Sequence, residues 1–128
     1  MSTAYIVTAL VTAACNTFSG FAAMTRLAPI MRTLGPALAR AGVPESWLFW
    51  PIGALKALGA LGLVLGLLGV PIIGTAAAAG LVLYFVCALY THLLVSDFCP
   101  QFYLAIVFLS LAVATLALDP ALVLVTSP

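Results

Sequence analysis

The chain has 128 residues, of which 66% are hydrophobic and only 5% are charged, and its formal net charge is +1. A soluble domain of this size needs more polar side chains than that to cover its surface, so the composition indicates an integral protein of a lipid bilayer. The few basic residues cannot neutralise a row of phosphates, which excludes nucleic acid as a partner.

Four apolar runs are long enough to cross a membrane, which takes about 20 residues. They cover residues 5–24, 47–68, 73–95 and 102–118. The first run has no basic residues before it and is too long for a cleaved signal, so we expect it to remain as a helix. The pattern predicts an all-α fold: a single domain, residues 1–128, that forms an integral membrane four-helix bundle.

The predicted connection between helices one and two is a long interfacial loop, residues 25–46. It holds Arg26, Arg32 and Arg40, whereas the short turn around Pro71 has no charge. Basic residues are enriched in cytoplasmic loops, so this loop is expected in the cytoplasm and both termini outside. Asp119, after the fourth helix, is then expected to be a solvated residue on the outer side.

Two glycine features make structural predictions. Gly35-Pro36 is expected to break the helix-like apolar spacing of the interfacial loop into two pieces. On the second helix, glycines recur at offsets of three and four, which places them on one side and allows close helix packing. They are Gly59, Gly62, Gly66 and Gly69. The spacing leaves open whether this face serves the bundle or a partner subunit.

Polar side chains within the spans point to one place. Lys56 lies about 13 Å into the second helix, and Asn16 is at a similar depth on the first. His92 precedes the cytoplasmic end of the third helix by about one turn, and Asp97 lies just beyond it. These two residues are about 140° apart around a helix, so they share a pocket only if the helix ends or bends near Ser96.

The predicted site is therefore a polar pocket in the cytoplasmic half of the bundle. The catalytic candidates are His92, Asp97 and Lys56, and the substrate-binding candidates are Asn16, Tyr90, Ser19 and Glu45. No metal-binding motif is recognised, and no CxxC pair is present. Because one histidine per protomer can serve as an axial ligand, haem ligation by His92 stays open.

Three motifs resemble those of the DoxX-like family of small four-helix bacterial membrane proteins. They are AGVPESW at 41–47, GALKALGALGL at 53–63 and YTHLLVSD at 90–97. The resemblance implies that the protein lies in the bacterial inner (plasma) membrane. It also implies that Lys56, His92 and Asp97 occupy the polar positions typical of the family. DoxX itself is named as a subunit of a quinone-linked sulfur oxidoreductase, and other relatives are linked to thiol redox complexes. The resemblance therefore implies a redox-associated role.

Three functions remain open at this point. The first is a redox-associated component that binds a quinone or another lipid-soluble molecule in the pocket. The second is a self-sufficient isomerase or hydrolase that uses acid–base chemistry on a small hydrophobic substrate and in which haem is an open cofactor. The third is a non-catalytic accessory subunit of a larger membrane complex. A homo-oligomer is expected if the chain does not join such a complex.

Overall fold

The computed structural model describes residues 1–70 and 72–128, and these residues form six α-helices. The helices are α1 (Thr3–Met24), α2 (Ala28–Ala41), α3 (Ala54–Leu67), α4 (Ile73–Leu94), α5 (Pro100–Leu118) and α6 (Pro120–Thr126). Pro71, expected in the turn between the second and third spans, lies outside the described residues.

Among the described residues, four segments are long and apolar enough to cross a membrane. They are Thr3–Met24, Glu45–Leu67, Ile73–Leu94 and Pro100–Leu118. The four spans predicted from hydropathy coincide with these helical segments to within two residues at each end. The chain is thus a multi-pass membrane protein. Its second span begins irregularly, because Glu45–Leu48 forms a 3₁₀ turn and Trp50 is extended at φ −134° before α3 starts.

The structure corrects the long loop expected between the first two spans, because most of that segment is the helix α2. Gly35 and Pro36 lie inside this helix instead of breaking it. A proline in a helix interior removes one backbone donor and costs about 3 kcal/mol. Leu38, two residues further on, is buried with Leu48 in a small apolar cluster, and burial of this kind favours the continued helix. The helix continues until Gly42, whose φ of 70° ends it.

The bundle is a closed ring in which α1 packs on α3, α3 on α4, α4 on α5, and α5 back on α1. Leu63, Leu81 and Phe85 are buried in its centre. Thr12 and Thr115, both fully buried, hydrogen-bond each other at 3.0 Å and so join α1 to α5. The helix α2 lies against α4 and α5, where it closes one end of the ring.

The glycine face of α3 packs against α4. A Cβ added at Gly62 would lie 2.6 Å from the Ala77 Cβ, and one added at Gly66 would lie 2.6 Å from the Gly74 Cα. Carbon atoms do not approach so closely without a shift of the backbone, so glycine permits this helix contact. These glycines therefore serve contacts within the bundle, which the spacing alone left open.

Asp119 is not the solvated residue that its place after the fourth span suggested. Its side chain is only 3% exposed. The carboxylate accepts hydrogen bonds from Thr75 Oγ1 at 2.7 Å and from the Ala121 backbone N–H at 2.8 Å. Because α6 begins directly after it, Asp119 caps that helix and ties it to α4.

Candidate functional site

A cavity of about 570 Å³ lies between α2, α3, α4 and α5. Its walls are mainly apolar, and its basic and acidic side chains lie in two places. One place holds Ser19 and Lys56, and the other holds His92, Asp97 and Gln101. Ligand sites commonly combine such an apolar wall with a few fixed polar groups.

Lys56 lies near the start of α3, where α1 comes close. A Cβ added at Gly20 of α1 would lie 3.2 Å from the Lys56 Cβ, so a small residue is needed there. The Lys56 ammonium donates a hydrogen bond to Ser19 Oγ at 2.8 Å. It also lies 5.7 Å from the ring centre of Tyr84 and 5.9 Å from that of Phe85. Cation–π contacts of this length stabilise an ammonium that has lost part of its hydration.

Lys56 retains hydrogen-bonding capacity toward the cavity. An ammonium has three N–H donors, and within residues 1–70 and 72–128 the acceptor recorded for it is Ser19. No carboxylate in that part of the chain forms an ion pair with Lys56. A ligand with an oxygen atom at this end of the cavity can therefore accept the remaining donors.

The end of α4 brings His92 and Asp97 together. The helix stops after Leu94, and Ser96 takes a left-handed conformation at φ 52°. The Asp97 N–H then donates back to the His92 carbonyl at 2.8 Å, and the Ser96 N–H donates to the Leu93 carbonyl at 3.2 Å. These two bonds define a Schellman motif. The motif folds Asp97 back over the last turn of α4, which removes the 140° separation that a continued helix would impose.

Asp97 is the centre of a polar cluster and is only 2% exposed. Its Oδ2 accepts from His92 Nδ1 at 2.8 Å and from the Cys99 thiol at 3.2 Å. Its Oδ1 accepts from Arg40 Nη2 at 2.7 Å and from the Cys99 backbone N–H at 3.4 Å. A buried charge is tolerated when it is paired and hydrogen-bonded in this way.

These contacts fix the protonation of the cluster. Burial by itself raises the pKa of the Asp97 carboxyl, but hydrogen bonds from Cys99 and His92 outweigh it and lower that pKa overall. Burial and the bond to Asp97 raise the pKa of the Cys99 thiol. Because an ionised carboxylate only accepts, His92 Nδ1 carries the proton that it shares with Asp97. In the neutral imidazole, Nε2 is then the basic nitrogen.

The ring of His92 is also held from the side of α5. Phe102 lies against it edge to face, with ring centres 6.0 Å apart. At the same end of the cavity, Thr33 Oγ1 donates to Gln101 Oε1 at 2.7 Å, which connects α2 to α5. His92 is therefore oriented by a carboxylate, an aromatic ring and the helix end together.

The structure separates three predicted substrate-binding residues from this cavity. Asn16 is fully buried in the bundle, where its amide donates to the Thr12 carbonyl at 2.9 Å. Tyr90 is 65% exposed on the outer surface. Glu45 lies 3.8 Å from Arg26 in an exposed pair. The cavity is lined by the other four predicted residues, Ser19, Lys56, His92 and Asp97.

Sequence reasoning missed Arg40 and Tyr84 as parts of the site. In the sequence, Arg40 was only one of the three arginines used to predict the orientation of the chain in the membrane. The fold of α2 brings it to Asp97. Its place in the last turn of a segment with helical apolar spacing is the signal that could have found it. Tyr84 sits in a uniformly apolar helix, and nothing in the sequence distinguishes it from the lipid-facing residues around it.

The comparison with protein families decides the classification of the chain. The model of the DoxX-like family matches residues 6–115, a range that reaches into all four spans and contains Lys56, His92 and Asp97. The chain belongs to the DoxX-like family. No curated protein and no solved structure matches it. Membership of the DoxX-like family confirms the resemblance of the motifs but does not name a reaction, which must be argued from the site.

Proposed function

We propose that this DoxX-like protein binds a quinone, or another lipid-soluble molecule with carbonyl or hydroxyl oxygens, in the cavity between α2 and α5. One observation carries the proposal: a large apolar cavity holds Lys56 at one place and the oriented pair His92 and Asp97 at another. An apolar wall favours a molecule that partitions into the bilayer, and the two polar places recognise its oxygen atoms.

Exposed residues on the cavity rim support entry from the bilayer. Leu83 lines the cavity and is 67% exposed, and Leu55 and Leu104 line it while also facing outward. In a membrane-spanning bundle, such side chains contact lipid. A hydrophobic ligand can thus diffuse sideways between α3, α4 and α5 without crossing water.

The spacing of the polar places supports an elongated head group or a ring held between the Lys56 donor and the His92 acceptor. Phe85, beside the Lys56 ammonium, precedes His92 by seven residues, which is about 10 Å along α4. The flexible lysine side chain shortens this span from one side. His92 Nε2 can accept a proton from a hydroxyl of the ligand, while the Lys56 ammonium donates to an oxygen.

The redox assignment rests on the family and on this proton chemistry. Reduction or oxidation of a quinone moves electrons as well as protons, and the side chains of the cavity supply only the protons. We therefore assign to this chain the binding and proton-exchange role in a complex with a redox partner, in the bacterial inner membrane. The arginines near α2 favour a cytoplasmic location for the His92 end and outside locations for both termini.

The hydrogen-bonded pair of His92 and Asp97 favours a second candidate function, an acid–base enzyme. A carboxylate that holds Nδ1–H leaves Nε2 free to act as a general base, and His92 lines the apolar cavity. Lys56 would stabilise an oxyanion formed on the substrate. Isomerisation of a small hydrophobic substrate needs no further group than these, and hydrolysis needs in addition a water molecule that His92 would activate.

Ligand binding by purified protein in lipid nanodiscs tests the proposal. An organic extract is analysed by mass spectrometry, and the affinity for a short-chain quinone is measured for wild type, Lys56→Met, His92→Gln and the control Tyr90→Phe. Loss of a hydrogen bond to a charged group costs about 1.5–3 kcal/mol, so Lys56→Met should weaken binding about 10-fold to 100-fold.

The control residue Tyr90 lies outside the cavity, so Tyr90→Phe should bind as wild type does. Equal affinities for all four proteins, or no detectable quinone binding by wild type, would reject the binding site. Turnover of a hydrophobic ester or enone by wild type, lost in His92→Gln, would instead support the acid–base enzyme.

A further inference from the structure

Three different ligand-type atoms converge at the end of α4. His92 Nδ1, Asp97 Oδ2 and Cys99 Sγ all lie within 4.8 Å of one another. Oδ2 is 2.8 Å from Nδ1 and 3.2 Å from Sγ, so it lies between the other two. A nitrogen, an oxygen and a sulfur in this arrangement are the donor types that Zn²⁺ prefers.

We infer that His92, Asp97 and Cys99 form a zinc-binding site at the wall of the cavity. Zn²⁺ binds nitrogen and oxygen at about 2.0–2.2 Å and sulfur at about 2.3 Å, which places tetrahedral ligand atoms about 3.3–3.8 Å apart. The Nδ1–Oδ2 contact of 2.8 Å and the Sγ–Oδ2 contact of 3.2 Å need to open by about half an ångström to admit the ion. Nδ1 and Sγ, which lie within 4.8 Å of each other, need to settle about 3.6 Å apart. Small rotations of the three side chains supply that movement, because all three lie within eight residues, between the last turn of α4 and the start of α5.

The second oxygen of Asp97 is already held from outside the site. Oδ1 accepts from Arg40 Nη2 at 2.7 Å and from the Cys99 N–H at 3.4 Å, which leaves Oδ2 for the metal. Outer hydrogen bonds of this kind orient the ligands of a metal and are a regular part of zinc sites. The Schellman motif adds rigidity, since it fixes the backbone between His92 and Asp97.

Charge and proton balance are consistent with a divalent ion. Zinc displaces the thiol proton of Cys99, which is released to solvent, and the neutral His92 moves its proton from Nδ1 to Nε2. The thiolate and the carboxylate then balance the two charges of the ion. Arg40, which pairs with the same carboxylate, leaves the cluster with one net positive charge. Three protein ligands leave a fourth position, as in zinc sites that bind water or substrate.

The zinc site does not depend on the binding of a quinone, and a bound zinc ion changes the hydrogen bonding of His92 toward the cavity. Without metal, His92 Nε2 accepts hydrogen bonds, whereas with Zn²⁺ on Nδ1 it carries a proton and donates. Both Lys56 and His92 would then donate hydrogen bonds to ligand oxygens that accept them. The spacing of residues 92, 97 and 99 fits no standard zinc motif, so the turn itself is what discloses the site.

Cobalt(II) is a spectroscopic substitute for zinc and gives a direct test. The full chain in detergent, first treated with a chelator and kept reduced, is titrated with Co²⁺ and then with Zn²⁺. Wild type should take up about one ion per chain and develop a thiolate-to-cobalt charge-transfer absorption that Zn²⁺ removes. Cys99→Ala should lose this absorption and bind Zn²⁺ more than about 100-fold more weakly, a larger loss than that of an outer-shell contact.

Cys87→Ala is the matched control, because Cys87 is an exposed thiol of α4. It should keep the charge-transfer absorption and the zinc affinity of wild type. If folded wild type develops no charge-transfer absorption, the three residues form only a hydrogen-bonded cluster and the proposed zinc site is overturned. The same conclusion follows if Cys99→Ala retains the absorption, or if Cys87→Ala loses it.

Discussion

Asp97 Oδ2 accepts a hydrogen bond from His92 Nδ1 at 2.8 Å, although α4 ends between these two residues. The contact depends on the left-handed conformation of Ser96, which turns the chain back over the helix end. It gives His92 a defined proton position and gives Asp97 a buried location. The chemistry assigned to the cavity therefore rests on a local backbone feature that can be tested.

Ser96→Gly should stabilise the protein, because glycine adopts a positive φ without the steric cost that a side chain meets there. That cost is about 1–2 kcal/mol for a residue with a Cβ. Ser96→Val should lower the free energy of unfolding by a similar amount. Both changes are measured by denaturant-induced unfolding in mixed micelles.

Ser110→Gly is the matched control for this pair. Ser110 lies inside α5, where its hydroxyl donates to the Ile106 carbonyl and its side chain is exposed. Glycine inside a helix is less favourable than other residues by about 0.5–1 kcal/mol. A Ser96→Gly protein that loses as much stability as Ser110→Gly would contradict the assigned turn.

Gly66→Ala should destabilise the bundle by about 1–3 kcal/mol, the range for overpacking a tight contact. The added methyl group would meet the Gly74 Cα at 2.6 Å and force α3 away from α4. Gly80→Ala is the counterpart, since a Cβ there has no atom within 4 Å. It should leave stability unchanged or raise it, and equal losses for the two variants would argue against the glycine packing.

Asp97→Asn should lower the free energy of unfolding by about 2 kcal/mol, a typical loss for hydrogen bonds to a charged group. The amide nitrogen of asparagine would face donors of Arg40 or His92 and could not accept from them. Glu45→Gln removes a carboxylate from an exposed pair and should have little effect. A similar stability for both variants would mean that the Asp97 cluster is loosely formed.

The membrane spans could be predicted from sequence because a long apolar run has few alternatives to a transmembrane helix. The boundaries agree within two residues for this reason. The helix α2 escaped prediction because Gly35 and Pro36 are strong local breaking signals. Leu38 and Leu48 share a buried apolar cluster that favours the continuous helix, and such a cluster exists only in the folded chain.

The candidate site could be predicted only in part, because some of its contacts are also created by the fold. Lys56, His92 and Asp97 stand out because charged or ionisable groups are rare in an apolar chain. Arg40 and Cys99 do not stand out, since their roles arise from the turn at Ser96 and from the fold of α2 over it. Asn16 lies at the depth expected of a site residue, but its side chain is buried in the packed bundle. Depth along a helix does not predict the side of the helix on which a residue lies.

Photoaffinity mapping tests the central claim, a binding site for a lipid-soluble molecule in the cavity. Protein in nanodiscs is irradiated with a photoreactive quinone analogue, digested and sequenced by mass spectrometry. Labels are expected on cavity-lining residues such as Leu83 and Cys87, and an excess of unlabelled quinone should remove them. Labels found equally on the lipid-facing Phe18 and Phe21 of α1, and not removed by competitor, would contradict the account.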